Sequence, residues 1–437
     1  MKKLFVLICI AFLLLQFGCS NGQNEMPRDD HQGEGFAEGS IQDQGSVYLH
    51  DAKELISVVE ATHPAFVLDD ISDNYEQVKQ ELLGSASKVA NKDEFSYLVQ
   101  KYLTTLQDAH TKVQKNQNAM FLDIDCRAVG DELYIINENG RISDKRITHI
   151  GGVSIDGIFA TVGEYYVAEN EAANDNNNSI WSLNYEVLKL AGCDIDDNCT
   201  KIDIEQNDKT YVKEIKFKSR NLYGNYNFST EIKSKMIEDI LYIDMNICND
   251  NKTLEKQAKK VKDSIKNGTT KIIIDVRDNP GGNSNACEKL LKAMGMKVPS
   301  FGVYIRYSEL AHSTYKNMPA KGYKQLDPDK TTAKRNDDIE LVVLTNAGTF
   351  SSATMLASYV KDGGLGTVIG TPSSNAPSSY GDILYYKLPN SGVEVTISFK
   401  RFLRPDTEAD PRILMPDIVT DHNTDALEAA IEYLSSK

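Results

Sequence analysis

Positive charge is in short supply in this 437-residue chain. Its 48 lysines and arginines face 63 aspartates and glutamates, which leaves a formal net charge of −15 at pH 7. Proteins that bind nucleic acid need a basic surface to neutralise phosphate groups. We therefore expect no nucleic-acid partner, and we attribute the acidic excess to solubility.

Cysteine is also sparse, and its spacing excludes the common metal sites. Cys9 and Cys19 lie near the N-terminus, and the other five of the seven cysteines lack metal-type spacing. Cys193 and Cys199 could pair outside the cell. Three more lie in apolar surroundings and are predicted to be buried free thiols, namely Cys126, Cys248 and Cys287. No metal or organic cofactor is implied.

The N-terminal apolar run is too short to cross a bilayer. It extends from Leu4 to Leu15, whereas a spanning helix needs about 20 apolar residues. Two lysines precede it and Gly18-Cys19 follows it, which is typical of an export signal. Gly18-Cys19 resembles a lipoprotein cleavage site, where the cysteine receives lipid. The sequence therefore predicts an exported bacterial protein that a lipid on Cys19 anchors to the membrane.

The chain is longer than the roughly 100–200 residues of one domain, so several domains are expected. A polar segment follows the leader and has too little apolar content to fold by itself, which is typical of a tether. Apolar periodicity then changes from helical to strand-like to mixed along the chain. The predicted units are a signal peptide (1–19), a disordered tether (20–45), an N-terminal helical domain (46–115), a β-rich PDZ-like module (116–220) and an α/β core (221–437).

The clearest predicted helix leads directly to a histidine. Its apolar residues follow the spacing of one helical stripe, Phe95, Leu98, Val99, Tyr102, Leu103 and Leu106. Earlier helices are predicted around residues 51–63 and 74–83. The end of the third helix delivers Asp108-Ala109-His110-Thr111.

The middle of the chain favours β-strands, because short apolar runs alternate with Gly, Asn and Asp. Residues 147–155 resemble the strand and turn of a PDZ-like domain. Two polar runs, Asn174–Asn178 and Cys193–Asp197, are expected to be solvated loops. The second run lacks the glycine and the distal glutamate of a calcium loop.

Two buried strands of the C-terminal half end in polar corners. Residues 271–276 lead into Arg277-Asp278-Asn279-Pro280-Gly281-Gly282, and residues 339–344 lead into a segment that ends in Phe350-Ser351-Ser352-Ala353 before a helix. Helix N-termini present free N–H groups to a developing oxyanion, and glycine lets the backbone approach a substrate carbonyl closely. Strands that alternate with helices indicate an α/β layer architecture.

Each of these features alone has an ordinary structural explanation. Ser351 or Ser352 could simply cap a helix, Gly281-Gly282 could be a tight turn, and His110 could be a histidine that ends a helix. Their joint occurrence, in order, in one chain favours a catalytic site instead.

Four motifs together resemble the C-terminal-processing, or tail-specific, serine peptidases (serine peptidase family 41). They are the histidine motif 108–111, the glycine-rich corner 274–282, the serine corner 346–353 and the C-terminal segment from Asp410 to Asp417. The resemblance covers residues from about 50 to the end. It implies a crotonase-like βαβ spiral core, with N-terminal helices and a PDZ-like module that admit an extended polypeptide.

The resemblance assigns roles by position. Ser351 matches the nucleophile, and the N–H groups of Ser352 and of Gly281 or Gly282 match the oxyanion hole. His110 matches the general base of the triad-type members.

The acid of the triad departs from the family in residue type, since the family usually has a glutamate there. Asp410 matches its position, and Glu408 and Asp406 are rivals close by. Because His110 lies far from Ser351 in sequence, the helical domain must fold back over the core for these roles to be filled.

One branch of the family uses a lysine base about two dozen residues beyond the serine. In this chain that turn spans Gly370–Pro377, and no lysine occurs between Lys361 and Lys387. A serine–lysine dyad is therefore disfavoured, and a weak hydroxyl nucleophile still needs a base.

The sequence thus predicts an exported serine endopeptidase that cleaves extended or unfolded polypeptides through an acyl-enzyme on Ser351. A homodimer and the physiological substrate are left open. An alternative is a catalytically inactive peptide- or ligand-binding lipoprotein on the same fold. Acyl-CoA chemistry would need oxyanion donors but no serine at the helix start, so Ser351 argues against it.

Overall fold

The structure is a computed structural model that describes residues 41–114, 118–221, 232–421 and 423–437. The predicted signal peptide, the lipid site Cys19 and residues 20–40 of the predicted tether lie outside the described residues. Within the described part of the chain, no helix combines the length and apolar character that a membrane span requires.

The first unit is helical, as predicted. Asn91 begins the helix that leads to His110, and its side chain accepts the Glu94 N–H. Apolar stripes of three helices pack into one core with the residues from Val393 to Ile397. The first helix starts within the predicted tether, five residues before the predicted domain boundary. The helices are α1 (Ile41–Thr62), α2 (Ala65–Leu68), α3 (Tyr75–Ala86) and α4 (Lys92–Thr104).

A short strand and then a mixed module follow. The module's seven strands form one sheet in the order β2-β8-β7-β5-β4-β3, with β6 paired to β5. Strand β3 is thus an edge strand. The elements are β1 (Lys112–Val113), β2 (Asn118–Leu122), β3 (Cys126–Val129), β4 (Glu132–Ile136), β5 (Ile142–Ile150), β6 (Val153–Ser154), α5 (Ile155–Tyr165), α6 (Glu171–Trp181), α7 (Tyr185–Leu190), β7 (Cys199–Gln206) and β8 (Lys209–Asn221).

The prediction of a polar loop at Asn174–Asn178 is wrong, because these residues lie in α6. The Asn170 side chain caps this helix by accepting the Ala173 N–H. Ala173 and Asn178 are buried, and Ser179 Oγ accepts the Ala128 N–H of the edge strand at 2.8 Å. Packing against β3 thus compensates for the low helix propensity of asparagine.

The last unit begins with alternating strands and helices around a six-stranded sheet of order β18-β15-β14-β11-β10-β9. All neighbours in it are parallel except β9 and β10, and this agrees with the predicted α/β architecture. The first of its elements are β9 (Lys233–Ile237), β10 (Ile240–Asp244), α8 (Lys252–Lys266), β11 (Lys271–Asp275), α9 (Ser284–Ala293), β12 (Gly302–Tyr307), α10 (Glu309–Thr314), β13 (Gly322–Leu326) and a 3-10 turn (Lys330–Thr332).

A second sheet of this unit carries the helical domain on its edge. Its strand order is β1-β17-β12-β13, with β16 also paired to β17. Through β1, the segment that follows His110 becomes an edge strand of the C-terminal unit. The remaining elements are β14 (Glu340–Thr345), α11 (Ser352–Asp362), β15 (Thr367–Gly370), β16 (Tyr380–Lys387), β17 (Glu394–Leu403), β18 (Ile418–Val419) and α12 (Ala426–Ser435).

The cysteines follow the prediction of buried thiols. Cys126, Cys248 and Cys287 are buried and free. Cys193 and Cys199 are also free in the structure, so the pairing that the sequence allowed is not formed. Burial raises the pKa of Cys126 to about 12, which makes this thiol a poor nucleophile.

Candidate active site

Ser351 lies at a strained corner between β14 and α11. Its backbone has φ 53° and ψ −124°, a conformation that residues other than glycine rarely adopt. Although Ser351 occupies the N-cap position, its side chain forms no capping hydrogen bond. The helix-cap explanation therefore does not account for Ser351, and its hydroxyl is left available at the start of a helix.

Ser352 is the less suitable nucleophile of the pair. It is buried, and its Oγ donates to the Gly282 carbonyl oxygen at 2.7 Å. This bond ties the start of α11 to the glycine-rich corner. The Ser352 N–H belongs to the first turn of α11, where backbone N–H groups have no partner within the helix. It is therefore suited to act as an oxyanion donor.

The two glycines of the corner differ in what their N–H groups do. The Gly281 N–H donates to Asn279 Oδ1 at 2.8 Å, so it is already engaged. Among the hydrogen bonds of the described residues, none uses the Gly282 N–H. Of the two predicted oxyanion donors, the structure thus leaves Gly282 as the available one.

Gly281 is nevertheless needed where it is. Its φ is +97°, and a Cβ added there would lie 2.5 Å from Ser351 Cβ and 2.8 Å from the Phe350 carbonyl oxygen. Real Cβ atoms do not approach backbone atoms so closely, so the serine corner would have to move.

Gly281→Ala is therefore expected to lower the labelling rate of Ser351 by a fluorophosphonate at least about 100-fold, since small displacements of a reacting group have large effects. Gly268→Ala is the matched control, because Gly268 has φ +96° but nothing within 4 Å of an added Cβ. It should cost only about 1 kcal/mol of stability. Thermal unfolding and labelling rates measure both effects, and equal labelling of the two variants would contradict this placement.

His110 reaches the core through strand pairing. Lys112 and Val113 pair with Thr396 and Val395 of β17. Thr396 Oγ1 donates to the His110 carbonyl oxygen at 2.7 Å. The helical domain thus folds back over the core, as the predicted role of His110 requires.

The His110 ring lies in the same small cavity as Ser351. The cavity has a volume of about 50 Å³ and is also lined by Asn375, Tyr380 and Phe402. The imidazole packs against the Phe350 ring with centroids 4.6 Å apart. Both ring nitrogens are buried, and neither has a hydrogen-bond partner among the described residues. An imidazole without a hydrogen-bond partner that shares a cavity with a serine hydroxyl has the composition of a general-base site.

A buried carboxylate lies next to His110. Asp108 Oδ1 is 3.6 Å from His110 Nδ1 and accepts the His110 backbone N–H at 2.9 Å. Its Oδ2 accepts from Thr111 Oγ1 at 2.6 Å. The first distance is that of an ion pair when the imidazole is protonated. Asp108 is thus placed to orient the imidazole.

His63 holds Asp108 from the other side. The Ala65 N–H donates to His63 Nδ1, so Nε2 carries the proton and donates to Asp108 Oδ2 at 3.1 Å. Burial alone would raise the pKa of Asp108, but hydrogen bonds from His110 and His63, together with the attraction of these imidazoles when they are protonated, outweigh it and hold that pKa well below its ordinary value. Asp108 therefore stays ionised at neutral pH.

A second buried carboxylate, Glu169, comes from the β-rich module. It forms a group with Asp108 and His110 in which one potential ligand atom of each lies within 4.8 Å of the others. Burial raises the pKa of Glu169; nearby Asp108 adds to the rise and His110 opposes it. All four carboxylate oxygens of the two acids already accept N–H or O–H groups of the protein. The group is therefore a hydrogen-bonded cluster rather than a set of free metal ligands.

The structure does not bring Asp410 to His110. Asp410 lies in an exposed turn, where its Oδ1 accepts the Arg412 N–H at 2.8 Å. Neither rival replaces it, since Asp406 pairs with Lys330 at 2.9 Å and Glu408 is exposed. The backbone around Asp410 satisfies its carboxylate locally, whereas its predicted role required a contact with the imidazole.

Four residues of this site, Asp108, His63, Glu169 and Asn375, are not predicted as site residues, although Asp108 lies in the histidine motif. His63 lies outside the four motifs, and Glu169 lies in the module with no motif around it. Asn375 lies 24 residues beyond Ser351, and its Oδ1 accepts the Ser351 N–H at 2.8 Å. The signal that could have found Asn375 was its position, since the lysine of the dyad branch would stand in the same turn.

Comparison with known proteins gives a family match for part of the chain and solved structures of similar fold. The profile of peptidase family S41 matches residues 239–420, which include both corners. The structure of mature CPAF complexed with lactacystin has a TM-score of 0.62 at 13% identity, covering 91% of this chain and 98% of that chain. Mature CPAF alone gives the same TM-score, identity and coverage of this chain, with 96% of its own chain covered. At this identity the likeness shows a shared fold.

A further solved structure is more distant. The photosystem II D1 C-terminal processing protease has a TM-score of 0.46 at 14% identity, covering 90% of this chain and 98% of that chain. No curated protein sequence gives a match.

Proposed function

We propose that the chain hydrolyses peptide bonds of extended or unfolded polypeptides through an acyl-enzyme on Ser351. The match of residues 239–420 to the profile of peptidase family S41 supports a serine-type peptidase. The observation that carries this proposal is that Ser351 and His110 line one cavity. Two segments far apart in the sequence supply these side chains. The Ser351 side chain forms no capping hydrogen bond, and the His110 ring nitrogens have no hydrogen-bond partner among the described residues.

Acylation follows from these positions. His110 takes the proton of Ser351 Oγ as the oxygen bonds to the substrate carbonyl carbon. The scissile C–N bond then breaks, and the same proton passes from the imidazolium to the leaving amine. Water hydrolyses the ester in the second half-reaction, with His110 as base again. Asp108, which stays ionised, stabilises the imidazolium that forms in each half.

The oxyanion formed in each step needs donors near the serine. The N–H groups of Ser352 and Gly282 supply them in this proposal, since the N–H of Gly281 is engaged by Asn279. The positive end of the α11 dipole points the same way. Loss of one such donor typically lowers turnover by about 10²–10³-fold.

A cleft whose lining includes the start of the serine corner supports an extended substrate. It measures about 1200 Å³ and lies between the module and the core. Arg127 and Ala128 of edge strand β3 line one side, and Asn346 and Ala347 of the serine corner line the other. An extended chain can bind through main-chain hydrogen bonds, although the Ala128 N–H of β3 is already held by Ser179 Oγ. A peptidase that recognises its substrate through the main chain would cleave sequences with many different side chains.

This substrate class is tested with one polypeptide in two states. A disulfide-rich protein that has been reduced and alkylated is expected to be cut at least about tenfold faster than the same protein in its folded form, as followed by mass spectrometry of the products. The folded form is the control for sequence, since both states present the same bonds. Equal cleavage of both states, or cleavage of the folded form alone, would rule out a preference for extended chains.

We also propose that the protein acts outside the cytoplasm on a lipid anchor at Cys19, which the sequence pattern of residues 2–19 supports. Metabolic labelling with a radioactive fatty acid is expected to mark the wild-type chain but not Cys19→Ala. The variant should leave the membrane fraction. Equal labelling of both chains would show that the lipid, if any, is elsewhere.

A further inference from the structure

Glu169 contacts both halves of the catalytic site from a different domain. It lies in the loop between α5 and α6 of the module, and only 7% of its surface is exposed. One oxygen, Oε1, accepts the N–H of Ala109, the residue before His110, at 3.1 Å. The other, Oε2, accepts from Asn375 Nδ2 at 2.6 Å and from the Ala376 N–H at 2.8 Å. Glu169 is thus hydrogen-bonded to the histidine segment and to the turn beside the serine.

We propose that Glu169 is a positioning residue that fixes the geometry of Ser351 through Asn375, so that the β-rich module is part of the catalytic site. This inference rests on the proposed peptidase function. It does not require that Glu169 touch the substrate.

The first step is the orientation of the Asn375 amide. The Ser351 backbone N–H can only donate, so its partner at 2.8 Å must be the amide oxygen of Asn375. That choice turns the Asn375 NH₂ group toward Glu169, where a carboxylate oxygen accepts it. If the carboxylate were missing, only the Ser351 N–H would favour this orientation over the flipped one, in which two N–H groups would face each other at Ser351.

The second step is the strain at Ser351. Sparsely populated backbone conformations of this kind cost about 1–3 kcal/mol and persist only when the surroundings hold them. The hydrogen bond from the Ser351 N–H to Asn375 is such a restraint, and it acts on the residue whose hydroxyl must face His110. Releasing it lets the serine relax and moves its Oγ.

The third step is the docking of the loop that carries Glu169. The neighbouring Asn170 Nδ2 donates to the Ser373 and Arg412 carbonyl oxygens at 3.1 and 3.0 Å. In return, Arg412 Nε donates to the Glu169 carbonyl oxygen at 3.3 Å. The loop is therefore bonded to two segments of the core, the turn that contains Asn375 and the segment at Arg412. Movement of the module away from the core would remove the carboxylate from the site.

The test is a double-mutant cycle on the full chain. Glu169→Gln and Asn375→Ala are each expected to lower the second-order rate constant of fluorophosphonate labelling at Ser351 by about 10–100-fold, because a displaced nucleophile reacts slowly. Since both act on one hydrogen bond, the double variant should be within about threefold of the slower single variant. Glu214→Gln is the matched control, since Glu214 is an exposed glutamate of the same module. It should label like the wild type.

A readout besides labelling separates this inference from the peptidase function. Hydrogen exchange of the Ser351 amide, resolved by mass spectrometry of overlapping peptides, should be faster in Glu169→Gln than in the wild type and unchanged in Glu214→Gln. Thermal unfolding of each variant identifies general loss of structure. If Glu169→Gln does not fold, Asn375→Ala carries the test alone by the same two measurements.

The outcomes are distinct. Wild-type labelling at Ser351 with an undiminished rate in a folded Glu169→Gln variant would overturn the inference and leave the peptidase function standing. Multiplying losses in the double variant would overturn the route through Asn375. A wild type that is not labelled would count against the peptidase function, and unchanged amide exchange of Ser351 in Glu169→Gln would then overturn the positioning role as well.

Discussion

Ser351→Ala is expected to abolish the fluorophosphonate adduct and to lower the rate of peptide cleavage by about 10⁴-fold or more. The reason is that no other hydroxyl at this corner can replace it, since the Ser352 hydroxyl is bonded to the Gly282 carbonyl oxygen. Removing the nucleophile of a serine peptidase typically leaves only the catalysis supplied by binding and the oxyanion hole. Intact mass of the wild-type chain should show one adduct per chain.

The location of the adduct needs fragment spectra, because Ser351, Ser352 and Ser358 share the tryptic peptide of residues 336–361. Ser358→Ala is the matched control, since its Oγ only donates to the Thr354 carbonyl oxygen within α11. It should keep the adduct and the wild-type rate. Ser352→Ala should also keep the adduct, because its backbone N–H remains. An adduct on Ser352, or one that survives Ser351→Ala, would contradict the assignment of the nucleophile.

An unlabelled, well-folded wild type would instead favour the inactive binding protein. The cavity at Ser351 is small, about 50 Å³, and could exclude the probe. The labelling experiment is therefore repeated in the presence of an unfolded polypeptide. Labelling that appears only then would indicate a site that substrate opens, and it would retain Ser351 as the nucleophile.

The α/β core could be predicted because its signals are local. Residues 272–274 and 341–344 are apolar runs, and each is followed by a segment of glycine and polar residues, so β11 and β14 could be placed within one residue. The helix that leads to His110 was equally clear from its single apolar stripe. Helix α6 could not be predicted, because its asparagines have low helix propensity and only the contact with β3 and the Asn170 cap favour the helix.

The site also has a predictable part and an unpredictable part. Ser351, His110 and the glycine corner could be predicted, because each belongs to a motif of only a few consecutive residues. The contacts of Asn375 with Glu169 and of His63 with Asp108 join residues 206 and 45 positions apart. Sequence spacing does not encode which of many buried acids will face an imidazole. Asp410 was predicted from its position in the family's order of motifs. The sequence alone could not show that the Arg412 N–H in the same turn binds its carboxylate.

The choice between two acids gives the other large expected effect. Asp108→Asn should lower kcat by about 10²–10⁴-fold, because the imidazolium formed during acylation would lose the carboxylate next to Nδ1. In triads of this type, replacing the acid by its amide costs up to about 10⁴-fold while the geometry is kept. Asp410→Asn is the matched control and should change kcat less than about threefold, since its carboxylate is bonded to the Arg412 N–H.

Asp108 is buried and holds several hydrogen bonds, so its replacement could also act through stability. Thermal unfolding is therefore measured beside kcat and KM, at a temperature where each variant is folded. His63→Gln provides a second comparison, because it disturbs the partner of Asp108 at 3.1 Å but keeps the carboxylate beside His110. It should cost less than about tenfold in kcat. If kcat falls in Asp410→Asn and not in Asp108→Asn, the acid of the triad is Asp410, and the exposed turn of residues 406–413 must then close over His110 when substrate binds.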